Sequence, residues 1–211
     1  LDGVSRETGS DAPRAAFVTK KLLLLLRLTI KACKSQDIKD YQATIGKALL
    51  RVAGVLSRSD VLTLGVKEDL STTYASLVVR LNELELLPMY HELCLWAGRG
   101  DARSTATGVR KQIVLYTIIA GLLDRLNAIF VPFVGHVWSN CAALLSGKEQ
   151  SELDDSDEDD DDANTRARKK RRKNNGAAAK LSRPTSGHMR ELQRIVLILV
   201  QRTCRFDGVA G

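Results

Sequence analysis

The sequence predicts an all-α protein, built as a helical bundle or solenoid. Leucine is abundant, while aromatic residues make up only 5% of the 211 residues, and this composition favours stacked helices over a β-sandwich. Apolar residues recur at three- to four-residue steps in seven segments separated by turn residues, which is the periodicity of amphipathic helices. Period-two alternation is confined to short, ambiguous runs such as 195–200.

The first three predicted helices cover 15–34, 38–56 and 67–82. In the first, a leucine run forms the apolar face and lysines and arginines lie at its edges. Ser35 and Asp37 are start signals for the second helix, because short polar side chains cap helix N-termini. The third places leucine, tyrosine and valine on one face.

Two prolines punctuate the middle of the chain. Pro88 is expected in the first turn of a helix that runs to residue 97, since a first-turn proline lacks only an N–H that would be unpaired anyway. The next helix is expected over 109–130, where Pro132 should break or kink it. A sixth helix then runs to residue 145, and a last one covers 189–205.

A charged segment divides the chain. Between Glu149 and Lys173, ten carboxylates are followed by seven cations with no apolar run between them. Like charges repel, and the segment has little apolar surface to bury, so it is expected to be extended and solvated. The predicted organisation is a disordered stretch 1–14, a helical domain 15–147, a disordered acidic then basic linker 148–187, a helix 188–206 that continues the domain, and a truncated tail 207–211. Because the chain starts at Leu1 and not at Met, it is expected to be a fragment.

The basic part of this segment has the composition that nuclear import receptors and RNA phosphates recognise. A solvated linker without a partner is the alternative. Since 148–183 holds ten acidic and ten basic residues, the remainder keeps the net charge of +7, which is compatible with work near RNA. The nuclear-localisation or RNA-phosphate candidates are Arg166, Arg168, Lys169, Lys170, Arg171, Arg172 and Lys173.

Phosphorylation is predicted within the acidic part. Ser151 and Ser156 each have an acidic residue three places downstream, which is the pattern that acidophilic kinases prefer. A phosphate at either serine would deepen the negative charge.

No catalytic, metal or cofactor site is predicted. His91, His136 and His188 are far apart in sequence, and each is interpreted as a surface or hydrogen-bonded histidine. The sequence has no phosphate-binding glycine loop, no G-x-S-x-G and no Cys/His spacing typical of zinc. The protein is therefore not expected to be an enzyme.

The remaining special residues are interpreted as core. Trp96 and Trp138 fall on apolar helical stripes, which favours packing over stacking on RNA bases. The apolar run 113–123 is about half the length that a membrane span requires. The four cysteines lie among apolar residues and are expected to be small core residues in a reducing compartment: Cys33, Cys94, Cys141 and Cys204.

Three segments resemble a known family, and the last of them, 197–207, resembles a helix that ends in Phe-Asp. In 77–97, a basic-Leu-Asn-Glu turn precedes a proline and an aromatic-containing helix that ends in tryptophan. In 115–145, a helix ending in Ile-Phe is followed by x-Pro-aromatic and a second helix. The residues that carry the pattern are Arg80, Leu81, Asn82, Glu83, Pro88, Tyr90, Trp96, Ile129, Phe130, Pro132 and Phe133. These segments resemble the C-terminal region of the U3 small nucleolar RNA-associated protein 10 family, also called HEAT repeat-containing protein 1.

The resemblance implies a fold of HEAT-like antiparallel helical repeats, as a solenoid fragment. It implies a non-catalytic nucleolar scaffold of the small-subunit processome, supporting 18S pre-rRNA processing and rRNA transcription by RNA polymerase I. The implied partners are other processome proteins, U3 snoRNA and pre-rRNA, and a nuclear import receptor, with no membrane, cofactor or small-molecule substrate. The alternative is a HEAT-type nuclear adaptor or transport protein that binds other proteins.

Overall fold

A computed structural model describes residues 11–58, 65–98, 105–146 and 186–207. These residues form seven α-helices and one 3-10 helix, and they contain no β-strand. The prediction of an all-α fold is confirmed. In chain order the elements are α1 (Asp11–Ala32), α2 (Ser35–Leu56), α3 (Val66–Val78), α4 (Glu83–Gly98), α5 (Ala106–Leu126), the 3-10 helix (Asn127–Phe130), α6 (Val131–Leu145) and α7 (Ser186–Asp207).

The helices form two layers. The odd-numbered helices lie in the first layer and the even-numbered helices lie in the second. In the first layer α1 packs on α3, α3 on α5 and α5 on α7. In the second layer α2 packs on α4, and α4 meets α6 through aromatic side chains. Contacts of α2 with α3, α4 with α5 and α6 with α7 join the layers. This is the architecture of a helical-repeat solenoid, in which each pair of helices buries its apolar face against its neighbours.

The central helix, α5, is buried on most of its circumference because α3, α4 and α7 surround it. By length and composition the stretch Ala106–Leu145 could cross a membrane, and 56% of its most apolar window is buried inside the protein. The helical path is interrupted within that stretch by the 3-10 helix. The neighbouring helices already cover the apolar surface of α5, as is typical of a core helix.

The predicted start of a helix at Pro88 is wrong, because α4 begins five residues earlier, at Glu83. The Asn82 side-chain oxygen accepts a hydrogen bond from the Glu85 backbone N–H at 2.9 Å, and the Glu85 carboxylate accepts one from the Asn82 backbone N–H at 2.9 Å. This reciprocal pair is a capping box. Pro88 therefore lies in the second turn, on an exposed face where water can satisfy the carbonyl that its missing N–H leaves unpaired.

The predicted break at Pro132 also occurs earlier than expected. α5 ends at Leu126, because Asn127 adopts φ 50° and ψ −134°, a non-helical backbone conformation that is uncommon for a residue other than glycine. The 3-10 helix follows, and α6 begins at Val131 with Pro132 in its first turn, where a proline is favoured. The predicted end of this helix at residue 130 is therefore wrong by four residues.

Both terminal helices begin inside segments that were expected to be disordered. α1 begins at Asp11, within the predicted stretch 1–14, and α7 begins at Ser186, within the predicted linker 148–187. The rest of that linker lies outside the described residues, and so do the phosphorylation candidates Ser151 and Ser156 and the basic candidates 166–173.

Candidate interaction sites

The joint between α4 and α6 is built from three aromatic side chains. The Tyr90 ring lies edge-on to Phe130 and Phe133, at centroid distances of 5.6 and 5.7 Å. The two phenylalanine rings stack on each other at 5.3 Å, and the Tyr90 hydroxyl donates to the Phe133 carbonyl at 2.9 Å. All three side chains are buried. These residues of the resemblance pattern therefore have a structural role, which is to hold two helices of the second layer together.

Buried titratable groups near this joint stay neutral. Burial, reinforced by nearby Cys94, raises the pKa of Tyr90 well above its usual range. Burial likewise raises the pKa of the Cys94 and Cys141 thiols, which makes both poor nucleophiles because the thiolate is the reactive form. Burial also raises the pKa of Tyr74, whose hydroxyl donates to the Met89 carbonyl at 3.2 Å. These groups stabilise the core as uncharged hydrogen-bonding residues.

The other residues of the pattern lie at the surface or at its edge. Asn82 caps α4, while Glu83, Pro88 and Pro132 are exposed. Trp96 is partly buried and packs against the core, as predicted. Trp138 is 41% exposed, so the prediction that it packs in the core is wrong. The reason is that it lies at the edge of the buried stripe of α6, which is formed by Phe133, Val134, Val137, Cys141 and Leu144.

Two of the three histidines, separated by 45 residues in sequence, lie together in the structure. The rings of His91 on α4 and His136 on α6 are 5.0 Å apart, and both side chains are exposed. His188 lies elsewhere, with its Nε2 atom 3.5 Å from the Nε atom of Arg110. No group of three or more metal-binding side chains occurs within the described ranges. The histidine pair is a consequence of the α4–α6 joint.

A groove of about 500 Å³ separates α2 from α4. Lys47 and Arg51 of α2, together with Arg58 in the turn that follows α2, form one wall, and Glu92 and Trp96 of α4 form the other. The sequence did not predict this site. Its only sequence signal is that the cations recur at spacings of four and seven residues, which puts them on one stripe of a helix.

Contacts around Trp96 fix its position in the groove wall. The Lys111 ammonium lies 5.8 Å from the centre of the indole ring, in a cation–π contact.

On the opposite wall, the Nε atom of Arg58 donates to the Gly54 carbonyl at 3.1 Å. Lys47 and Arg51 make no ion pair with any other residue in the described part of the chain. Among the described residues, the groove therefore has three cations and one carboxylate, Glu92, along its walls.

A second groove, of about 360 Å³, lies where α3, α5 and α7 meet. Its charged side chains are largely paired with each other. Lys67 bonds to Glu191, and Arg202 lies 2.8 Å from Asp124 and also donates to the Ala120 carbonyl at 3.1 Å. These bonds tie α7 to the two preceding helices of its layer, so this groove is part of the packing of α7.

Comparison with known protein families assigns the chain. The BP28CT (NUC211) domain matches residues 18–209, from α1 through α7. The chain belongs to the BP28CT family. This domain is found in nucleolar ribosome-biogenesis proteins, which agrees with the predicted ribosome-biogenesis role and nucleolar location. Neither the curated proteins nor the solved structures include a significant match to the BP28CT chain.

Proposed function

We propose that this chain is a non-catalytic scaffold of the small-subunit processome, the U3 snoRNA-containing 90S pre-ribosome. In this role it supports 18S pre-rRNA processing and rRNA transcription by RNA polymerase I. The match of the BP28CT domain over 18–209 is the observation that carries the proposal. The resemblance of 77–97 and 115–145 to the U3 small nucleolar RNA-associated protein 10 family narrows it to the processome.

The architecture suits a scaffold because helical-repeat layers present long, fixed surfaces to several partners at once. The three aromatic residues of the α4–α6 joint stabilise the interior, through the Tyr90–Phe133 hydrogen bond and the contacts between their rings. The surface carries the cationic groove between α2 and α4. We expect other processome proteins, U3 snoRNA and pre-rRNA as partners, with affinity that accumulates from many modest contacts. Catalysis, cofactors, membranes and small-molecule substrates have no part in the proposed role.

Sedimentation of nuclear extracts tests the proposal. The tagged full chain should move with large particles that contain U3 snoRNA and 18S precursors, and ribonuclease treatment should shift it to lighter fractions. Recovery only in small, RNA-free protein complexes would favour the alternative, a HEAT-type nuclear adaptor or transport protein.

Nuclear entry is proposed to depend on the basic cluster that an import receptor would read. A reporter fused to the full chain should accumulate in the nucleus and nucleolus, and replacing 168–173 by alanine should leave it in the cytoplasm. Replacing 159–162 by alanine changes nearby charges without touching the cations and is the matched control. Unchanged distribution of the first variant would remove the import role from this cluster.

A further inference from the structure

We propose that the groove between α2 and α4 binds single-stranded RNA, with its cations on the phosphates and Trp96 against a base. This inference rests on the proposed function and adds to it a place of contact. It assigns RNA binding to the folded helices as well as to the basic segment 166–173.

The cations are arranged to follow a chain of phosphates. Lys47 and Arg51 lie one helical turn apart on α2, where the rise of an α-helix separates their Cα atoms by about 6 Å along the axis. Arg58 extends this line of cations from the turn that follows α2. All three side chains are exposed and point into a concave surface. In the second groove, two of the three cations, Lys67 and Arg202, already have carboxylate partners, and Arg194 is the third. The first groove therefore has the larger set of cations that form no ion pair with a carboxylate among the described residues.

The opposite wall favours RNA over an acidic peptide. Trp96 is partly buried and held by Lys111, and Val55 on the α2 wall is 62% exposed, so the two walls offer apolar surface to a base or a ribose. Glu92 lies in the same wall as Trp96 and repels phosphates and peptide carboxylates alike, so the preference for RNA comes from the apolar surface. The same carboxylate can accept hydrogen bonds from a ribose 2′-hydroxyl or a base amino group.

Charge reversal in the full chain tests the phosphate contacts. The variant K47E/R51E/R58E is compared with K31E/K34E/R190E, which reverses three exposed cations outside the groove. Both variants lose the same net charge, so non-specific attraction falls equally. Binding of a labelled oligouridine, followed by fluorescence anisotropy across a salt series, should weaken at least tenfold more in the groove variant. The slope of log K against log salt should also fall by about 2, since single strands lose about 0.7 for each phosphate contact.

Tryptophan fluorescence tests the other wall. In a W138F background Trp96 is the only tryptophan, because the chain has two. Oligouridine should quench its emission, and the groove variant should lose this response. If the reversed charges prevent folding, both measurements are repeated with the milder variant K47Q/R51Q, whose helical content is checked by circular dichroism.

The possible outcomes distinguish RNA from an acidic protein as the partner, and they distinguish the RNA-binding inference from the proposed function. Equal losses in groove and control variants, or unchanged Trp96 emission, would overturn the inference. Displacement of the RNA by poly-glutamate at matched charge would overturn it in favour of an acidic protein partner. If the chain binds oligouridine through the groove but does not sediment with pre-ribosomal particles, the inference holds and the proposed function fails. If the chain sediments with the particles but the groove and control variants lose RNA binding equally, the proposed function holds and the inference fails.

Discussion

The hydroxyl of Tyr90 donates a 2.9 Å hydrogen bond to the carbonyl of Phe133, and this bond joins α4 to α6. The same tyrosine ring lies edge-on to both Phe130 and Phe133. The Tyr90 side chain therefore connects α4 to the 3-10 helix and to the first turn of α6, where Phe130 and Phe133 lie. The joint also accounts for the neighbouring pair of histidines, since His91 follows Tyr90 and faces His136.

Substitutions at Tyr90 should separate the hydrogen bond from the packing. Tyr90→Phe removes only the hydroxyl and should lower the free energy of unfolding by about 1 kcal/mol. Tyr90→Ala removes the whole ring and should cost about 3–5 kcal/mol, the usual range for a buried aromatic. Denaturant unfolding measures both, with Tyr41→Phe as a control because Tyr41 is 63% exposed. Equal effects of the two phenylalanine variants would show that the 2.9 Å bond does not stabilise the fold.

Alkaline pH should destabilise the fold through its buried tyrosines. Burial raises the pKa of Tyr74 and Tyr90 above the ordinary value of 10.0. Above about pH 10 the unfolded chain therefore releases protons that the folded chain retains, and the free energy of unfolding falls as pH rises. The stabilisation is fully present below that pH, and each tyrosine should contribute a fall of about 1.4 kcal/mol per pH unit.

Denaturant titrations on both sides of this pH measure the slope. A Tyr74→Phe/Tyr90→Phe double variant should lose stability less steeply, because neither ring can ionise. Lysines also titrate in this range, so the difference between the two proteins is the informative quantity. Parallel slopes would show that these two groups do not cause the alkaline loss.

Close approach of α3 and α5 depends on Gly121. A Cβ atom there would lie 2.2 Å from the Ser71 hydroxyl oxygen, which donates to the Thr117 carbonyl at 3.0 Å. Gly121→Ala should therefore displace this hydroxyl and cost about 1–3 kcal/mol. In a Ser71→Ala background the nearest atom is the Cβ of residue 71, at 3.6 Å, and the same change should be neutral or stabilising.

Gly135→Ala is the matched control for this cycle, because a Cβ at Gly135 meets no atom within 4 Å. In the helix α6 it should stabilise by about 0.5–1 kcal/mol. A cost of Gly121→Ala that is the same with and without the Ser71 hydroxyl would show that the clash is not the cause.

Hydrophobic periodicity was sufficient to predict the seven α-helices that the described ranges contain, and their order. It was less reliable at their ends, where two local signals compete. The sequence contains both Pro88, which was interpreted as a helix start, and the Asn82–Glu85 pair that caps the helix in the structure. The capping box determines where the helix begins, because it provides hydrogen-bond acceptors for two backbone N–H groups. A proline in the first turn forms no new hydrogen bond and only lacks an N–H that would be unpaired there.

The candidate groove was not predictable from periodicity, because it arises only when α4 packs beside α2. A stripe such as Lys47, Arg51 and Arg58 is usually a solvated helix face, and nothing local indicates that Glu92 and Trp96 will lie opposite it. The basic segment 166–173 attracted attention because its charge is dense. Its predicted role in import remains a prediction, since it lies outside the described residues.

The docking of α7 gives a last prediction. Leu192, Val196 and Leu199 are fully buried, and α7 packs on α5 and α6. Burial of each such side chain contributes about 1.5–3 kcal/mol. A specific protease site inserted after residue 165 would cut the chain between α6 and α7. After cleavage the C-terminal fragment should co-elute with the remainder in size-exclusion chromatography, because these contacts do not require an intact connection.

Two leucines in α7 make the matched comparison. Leu199→Asp places a carboxylate in the core and should release the cleaved fragment, since an unpaired buried charge is costly. Leu197→Asp makes the same substitution on the opposite face, where the side chain is 49% exposed, and should leave the fragment bound. Release of the fragment from the otherwise unchanged protein would contradict the packing of α7 on α5. Retention of the Leu199→Asp fragment would place the binding energy in the ion pairs of Glu191 and Arg202.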